Sequence, residues 1–337
     1  MGAPLVLTCG DPAGVGPEIT VKAWQAYRQD PRHSFGVLAP YELINRHCQE
    51  QGLPPPRHIN ELSSVPGSFQ DGIPILPMVL GANVKDGHPS EANASVVTGS
   101  IERAVKHCLA GEAAAVITNP ISKEVLYETG FKYPGHTEFL GKLTEDVDPP
   151  YAKGPLMMLA NSELRVALVT VHQSVEAAVQ SVSEEKIIKH ARILHGALRH
   201  DLGLENPRIA LAALNPHAGE GGAMGRTEID IINPAAAKLR AEGINVTYAM
   251  PPDTMFHKEA RDRYDAALCM YHDQGLIPVK TIDFHGTVNV TLGLPIVRTS
   301  PDHGTAFDIA GQNKARPDSL IAAIKMARQI ADTRHGR

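Results

Sequence analysis

Three of the sixteen histidines occupy one special kind of position. His172 follows the apolar run at residues 164–171. His217 follows the run at 208–214 and the dipeptide Asn215-Pro216. His272 follows the run at 265–271. In a parallel sheet the carboxyl ends of the strands share one edge, and ligands settle in the crevice beside it. Imidazoles at three such ends can therefore converge although they are remote in sequence. Three histidine ligands leave open positions on a divalent cation, which is a catalytic rather than a closed structural arrangement. Taken singly, each reads as an ordinary polar residue at a strand end. Taken together, each in a loop holding Gly, Asn or Asp, they read as metal ligands. Asp273, next to His272, would orient that ring or add a further ligand. The donor set suits zinc but equally admits cobalt, manganese or magnesium. By contrast, His190, His195 and His200 share no helix face and are expected on a surface.

Other residues suit an anion. Lys280 and Arg298 lie in apolar surroundings beside turn-forming residues, and an arginine grips phosphate or carboxylate at two points. His136-Thr137 opens a helical pattern at Phe139-Leu140. Thr137 is either a helix cap or a hydroxyl offered to a ligand. The segment Gly10-Asp11-Pro12-Ala13-Gly14-Val15-Gly16-Pro17 follows an apolar run and leads into a helix. It matches neither the dinucleotide nor the P-loop glycine pattern. An anion-binding helix start and a tightly packed turn both stay open. The glycines from Gly219 to Gly225 allow close backbone approach to a ligand.

The elements that must position these residues alternate in type. Strands are expected at 5–8, 35–39, 114–118, 155–160, 164–171, 208–214, 244–249, 265–271 and 287–292. Between them, Val97, Ile101, Ala104, Val105 and Cys108 keep helical spacing. So do Ile187, Ile188, Ala191, Leu194 and Leu198, behind a cap at Ser183. A last helix is expected from a cap at Asp318. Such alternation predicts an α/β fold on a largely parallel sheet. Asn161-Ser162 predicts a hairpin and hence some antiparallel pairing. Residues 52–89 read as an irregular connection.

The net charge of −5 gives no electrostatic reason for a nucleic-acid or anionic-membrane partner. No stretch approaches the roughly 18 apolar residues that span a bilayer. Cys9, Cys48, Cys108 and Cys269 are widely spaced and form no C-x-x-C pair. Free thiols in a reducing cytoplasm are expected.

These residues also carry a resemblance. From Gly10-Asp11-Pro12-Ala13-Gly14 to the last helix, the chain resembles the 4-hydroxythreonine-4-phosphate dehydrogenase (PdxA) family of vitamin B6 biosynthesis. Its most specific stretches are Pro134-Gly135-His136-Thr137-Glu138-Phe139, residues 215–222, and Met270-Tyr271-His272-Asp273-Gln274-Gly275. Residues 289–295 add to these, running through Arg298-Thr299-Ser300 to Asp302-His303-Gly304-Thr305-Ala306. The resemblance implies an isocitrate/isopropylmalate-dehydrogenase-like α/β fold with two lobes around a cleft. The first lobe is expected at 1–125 with 297–337. The second, at 126–296, is expected to hold the metal site and the dimer interface. It also implies a homodimer whose metal, held by His172, His217 and His272, is shared between subunits. Substrate contacts are implied for His136, Thr137, Lys280, Asn289 and Arg298, and Asp253 matches a further active-site position.

The implied reaction is NAD- or NADP-dependent oxidation of 4-phosphooxy-L-threonine to 2-amino-3-oxo-4-phosphooxybutanoate. That β-keto acid decarboxylates to 3-amino-2-oxopropyl phosphate. Asp253, Lys280 and a hydroxide carried by the metal are open as proton acceptors, and no residue is assigned to the dinucleotide. Three competitors use the same residues: a dehydrogenase of 4-phospho-threonate or 4-phospho-erythronate, a metal-dependent phosphatase or hydrolase, and a binding protein for phosphorylated metabolites.

Overall fold

Uninterrupted apolar runs bounded by turn residues form buried strands. Two of them, β1 (Leu5–Thr8) and β2 (Phe35–Ala39), have the limits expected from sequence. The structure is a computed structural model and describes residues 2–336. The remaining strands are β3 (Arg57–His58), β4 (Pro74–Pro77), β5 (Val116–Ile117), β6 (Leu156–Ala160), β7 (Arg165–Leu168), β8 (Ile209–Leu211), β9 (Ala266–Cys269), β10 (Val288–Leu292) and β11 (Arg298–Pro301).

The chain forms two compact units. The first runs to Val147 and resumes at Pro295, and the second is Asp148–Leu294. The first extends past the expected limit at residue 125. Leu126 is buried in an apolar cluster with Ala94, Val96 and Val97, and Ile121 and Phe131 pack against it.

In the first unit the strand order is β3-β4-β2-β1-β5-β11, and every pairing is parallel. All four residues of β1 are fully buried, as expected of a parallel strand covered on both faces. The helix Ala94–Leu109 buries Val97, Ile101, Ala104 and Val105 of the predicted stripe and leaves Cys108 half-buried. Asp318 is the first residue of the helix Asp318–Arg334 and not its cap. Its carboxylate pairs with Arg316 and sits at the favourable end of the helix dipole. Residues 52–89 are less irregular than expected. They contain β4, whose Ile75 and Leu76 are buried. Prolines at both ends of that strand hide its signal.

In the second unit the order is β10-β6-β7-β9-β8. The β6–β7 hairpin forms at Asn161, whose side-chain oxygen accepts from the amides of Glu163 and Leu164, each at 3.0 Å. β10 also pairs antiparallel with β6, whereas β7, β9 and β8 are parallel. The strand expected at 244–249 is reduced to single bridges, Val246 to Ile209 and, just beyond it, Met250 to Ala212. The helix Glu184–His200 starts at Ser183, whose hydroxyl accepts from the Lys186 amide at 3.3 Å. His190 and His195 on it are half-buried, not surface residues. Burial, with help from Lys189 and Lys186, lowers the His190 imidazole to about 4.

The four cysteines are free thiols. Among the described residues no helix is long and apolar enough to cross a membrane. One backbone position in the first unit is tightly constrained. Gly10 is left-handed, at φ 70°, and a Cβ there would stand 2.6 Å from Asn119 Cβ and 2.8 Å from the Pro120 carbonyl oxygen. Gly10→Ala is therefore expected to destabilise the protein by about 2 kcal/mol or more. An unchanged denaturation midpoint would show that this turn relaxes freely.

Candidate active site

The three histidines follow three neighbouring parallel strands. His172 lies beyond β7, His272 beyond β9 and His217 beyond β8, with β9 in the middle. The rings of His172 and His272 have centroids 5.9 Å apart. With metal–nitrogen bonds of about 2 Å, two rings on a tetrahedral ion have centroids about 5 Å apart, so this pair stands near that spacing but wider than it. His272 Nδ1 lies 2.7 Å from Asp273 Oδ1, which leaves Nε2 for an ion.

His217 does not complete the set. Among the described residues no three His, Cys, Asp or Glu side chains are close enough together to hold an ion. One chain thus brings together two of the three expected ligands. His217 instead lines a cavity of about 530 Å³ with Asp253, Tyr271, Asp273, Gln274 and Pro278. Its backbone explains the placement. Residues 217–221 are all left-handed, with φ of 51°, 52°, 80°, 44° and 65°. His172 is left-handed as well, at φ 48°. Such conformations are uncommon without glycine and cost about 1–3 kcal/mol each, a cost that concentrates at functional sites.

Lys280 lies in the helix His272–Ile282 with Nζ 5.6 Å from the Phe284 ring centroid. Asn289 is on β10, and its buried Oδ1 has no hydrogen-bond partner among the described residues. Neither belongs to the wall of that cavity. Asp253 is exposed at the start of the short helix Pro252–Met255.

The first unit holds three of the residues expected to meet an anion. Arg298, on β11, is only 2% exposed. Its Nε and one terminal nitrogen both donate to Thr118 Oγ1, at 3.2 and 2.7 Å. Burial lowers its guanidinium to about 9, and the Glu138 carboxylate opposes that shift. An arginine still remains a cation at neutral pH. His136 is the first residue of the helix His136–Leu143. Burial first, then the cations of Arg298 and Lys123, drive its imidazole well below the ordinary range. It is therefore neutral, and its buried Nε2 has no partner among the described residues. Thr137 lies within the first helical turn. Gly135 occupies the cap, so the hydroxyl of Thr137 is not spent there.

Sequence reasoning missed Thr118, Lys123 and Glu138. Thr118 ends an expected strand, and Glu138 lies inside a recognised motif, but neither position announced a partner. The Gly10–Pro17 segment proves closely packed. A Cβ on Gly14 would stand 2.9 Å from the Thr305 carbonyl oxygen, to which Val15 donates its amide.

The family model for pyridoxal phosphate biosynthetic protein PdxA matches residues 37–327. A Maricaulis maris protein named 4-hydroxythreonine-4-phosphate dehydrogenase is 52% identical over 98% of each chain. A Caulobacter vibrioides protein of the same name is 50% identical, again over 98% of each chain. The crystal structure of 4-hydroxythreonine-4-phosphate dehydrogenase from Klebsiella pneumoniae superposes with a TM-score of 0.87 at 36% identity. That match covers 98% of this chain and 100% of the other.

Proposed function

Because the chain belongs to the PdxA family of pyridoxal phosphate biosynthetic proteins, we propose that it oxidises 4-phosphooxy-L-threonine with NAD or NADP and a divalent cation. The product would be 2-amino-3-oxo-4-phosphooxybutanoate, which loses CO₂ to give 3-amino-2-oxopropyl phosphate. The observation that carries this reading is Arg298 beside His136. A buried cation next to a neutral imidazole with an unused nitrogen suits a phosphorylated substrate.

When bound, the nicotinamide supplies a hydride acceptor and the divalent cation supplies polarisation of the oxygen that becomes the ketone. His172, His217 and His272 would hold that cation, which could be zinc, cobalt, magnesium or manganese. Arg298 grips an anionic group at two points, and His136 and Thr137 add neutral hydrogen bonds. Lys280 and Asn289 orient the substrate. Asp253 or Lys280 accepts the proton of the alcohol as the hydride leaves. In the β-keto acid, the electron pair freed by CO₂ loss passes to the ketone oxygen, so positive charge near that oxygen assists the step.

The homodimer is part of this reading. His172 and His217 are exposed at their strand ends, and the second unit also exposes Val175, Met224, Ile229 and Ile277. Metal ligands from two chains and a cover for these apolar side chains would both follow from a shared site. The free thiols accord with a cytoplasmic setting.

The test is NADH formation, followed by absorbance, over a substrate panel with added metal. We expect turnover of 4-phosphooxy-L-threonine and its loss on chelation. Preference for 4-phospho-threonate or 4-phospho-erythronate would move the assignment to the paralogous dehydrogenase. Phosphate release without NADH would establish the hydrolase instead.

A further inference from the structure

Glu228 is buried, 1% exposed, within the second unit. Its Oε1 accepts from two successive backbone amides, Leu214 and Asn215, each at 2.8 Å. Its Oε2 accepts from the Asn215 side-chain amide at 2.9 Å. Leu214 and Asn215 lead, through Pro216, into the left-handed loop that presents His217. The loop then closes around the same carboxylate. A Cβ on Gly219 would stand 2.8 Å from Glu228 Oε2, and one on Gly225 would stand 2.6 Å from the Asn215 amide carbon. One carboxylate thus ties down both the entry and the interior of the loop.

Two other buried side chains brace the neighbouring strand ends in the same way. Gln274 accepts from the Met270 amide at 2.7 Å and donates to the Ala213 carbonyl at 2.6 Å. Thr170 donates to the Met270 carbonyl at 2.8 Å. Each brace acts within a few residues of one histidine: Thr170 before His172, Gln274 after His272, and Glu228 on the residues leading to His217. A carboxylate is costly to bury unless charge-assisted bonds compensate it, and here three donors do so.

We propose that Glu228 is a positioning residue for the metal site: it holds the 214–225 loop in the left-handed path that sets where His217 is presented. The proposal rests on the metal-ligand reading of His217. Glu228 touches neither substrate nor metal and acts only through the loop.

The test compares the full-length wild type with Glu228→Ala and Glu228→Gln, using Co²⁺ as probe. Two measurements are made: amide hydrogen exchange in the metal-free protein, and Co²⁺ affinity with its visible absorption band. Glu228→Ala should speed exchange at residues 214–225 while helix Glu184–His200 keeps its protection. Co²⁺ affinity should fall roughly tenfold or more, and the band should change shape. A purely structural role would lower global stability without changing the band. Glu228→Gln keeps an oxygen for the two backbone amides but opposes an NH₂ to Asn215. It should fall between wild type and Ala, and it carries the test if the alanine variant does not fold.

Wild-type loop protection and Co²⁺ affinity in these variants would overturn the positioning role. If instead the wild type binds no Co²⁺, or His217→Ala binds it equally well, the metal reading itself fails and the proposal with it.

Discussion

His217→Gly is expected to abolish turnover while leaving the fold as stable as wild type or more so. The two effects have separate causes. In the proposed role of metal ligand, His217 would contribute binding that no neighbour replaces. Lost contacts one shell further out already cost 10–100-fold, so removal of the ligand should cost at least about 100-fold in metal affinity and turnover. As a backbone position, it sits at φ 51°, ψ 31°, where an L residue is strained and glycine is not. Relief of that strain, less the extra chain entropy of glycine, should contribute about 0.5–1 kcal/mol of stability. The side chain is exposed, so no core contact is lost. Denaturation, metal content and kcat are the measurements. Full metal occupancy with normal kcat would reject the ligand assignment. The proposed sharing of the site between subunits adds a second outcome: His217→Gly chains mixed with His172→Ala chains should regain part of the activity. In such a heterodimer one site keeps both ligands and the other loses both. No recovery in proven heterodimers would place the two ligands on one chain.

How much of this was legible depended on the kind of signal. β1 and β2 stand out because a short apolar run between turns has few alternative uses. β4 escapes because Pro74 and Pro77 frame only two apolar residues. β11 escapes because Arg298-Thr299-Ser300-Pro301 carries no apolar pattern, although the strand is buried. Its arginine nevertheless stands out as a candidate ligand for an anion, since a cation in apolar surroundings is informative without knowledge of its element. The strand ends bearing the histidines were also legible from topology rules alone. The approach of His172 to His272, and the separate course of His217, were not. They depend on left-handed backbone at non-glycine residues, which local sequence does not encode. Long-range partners were hidden for a related reason. Thr118 meets Arg298 across 180 residues, and nothing near either residue names the other.

Arg298→Lys is the sharper test of the anion site, because it preserves charge and removes geometry. The guanidinium is held in place by two donations to Thr118 Oγ1. A lysine ammonium is a point charge on a flexible stem and cannot reproduce a planar two-point grip. Loss of a charge-assisted contact to a desolvated anion typically costs about 2–5 kcal/mol, so Arg298→Ala should lower kcat/KM by that amount. Arg298→Lys should recover only part of it. Both variants also leave Glu138 facing a weaker or absent cation in a buried setting, so stability must be measured beside kinetics. Arg192 is the control. It is an exposed partner of Glu242, with bonds of 2.9 and 2.6 Å, and its replacement should change kcat/KM by less than about 0.5 kcal/mol. Normal kcat/KM in both Arg298 variants would mean that the phosphate is held elsewhere. The buried arginine would then be only a partner for Thr118 and Glu138, and its removal should register in denaturation and not in turnover.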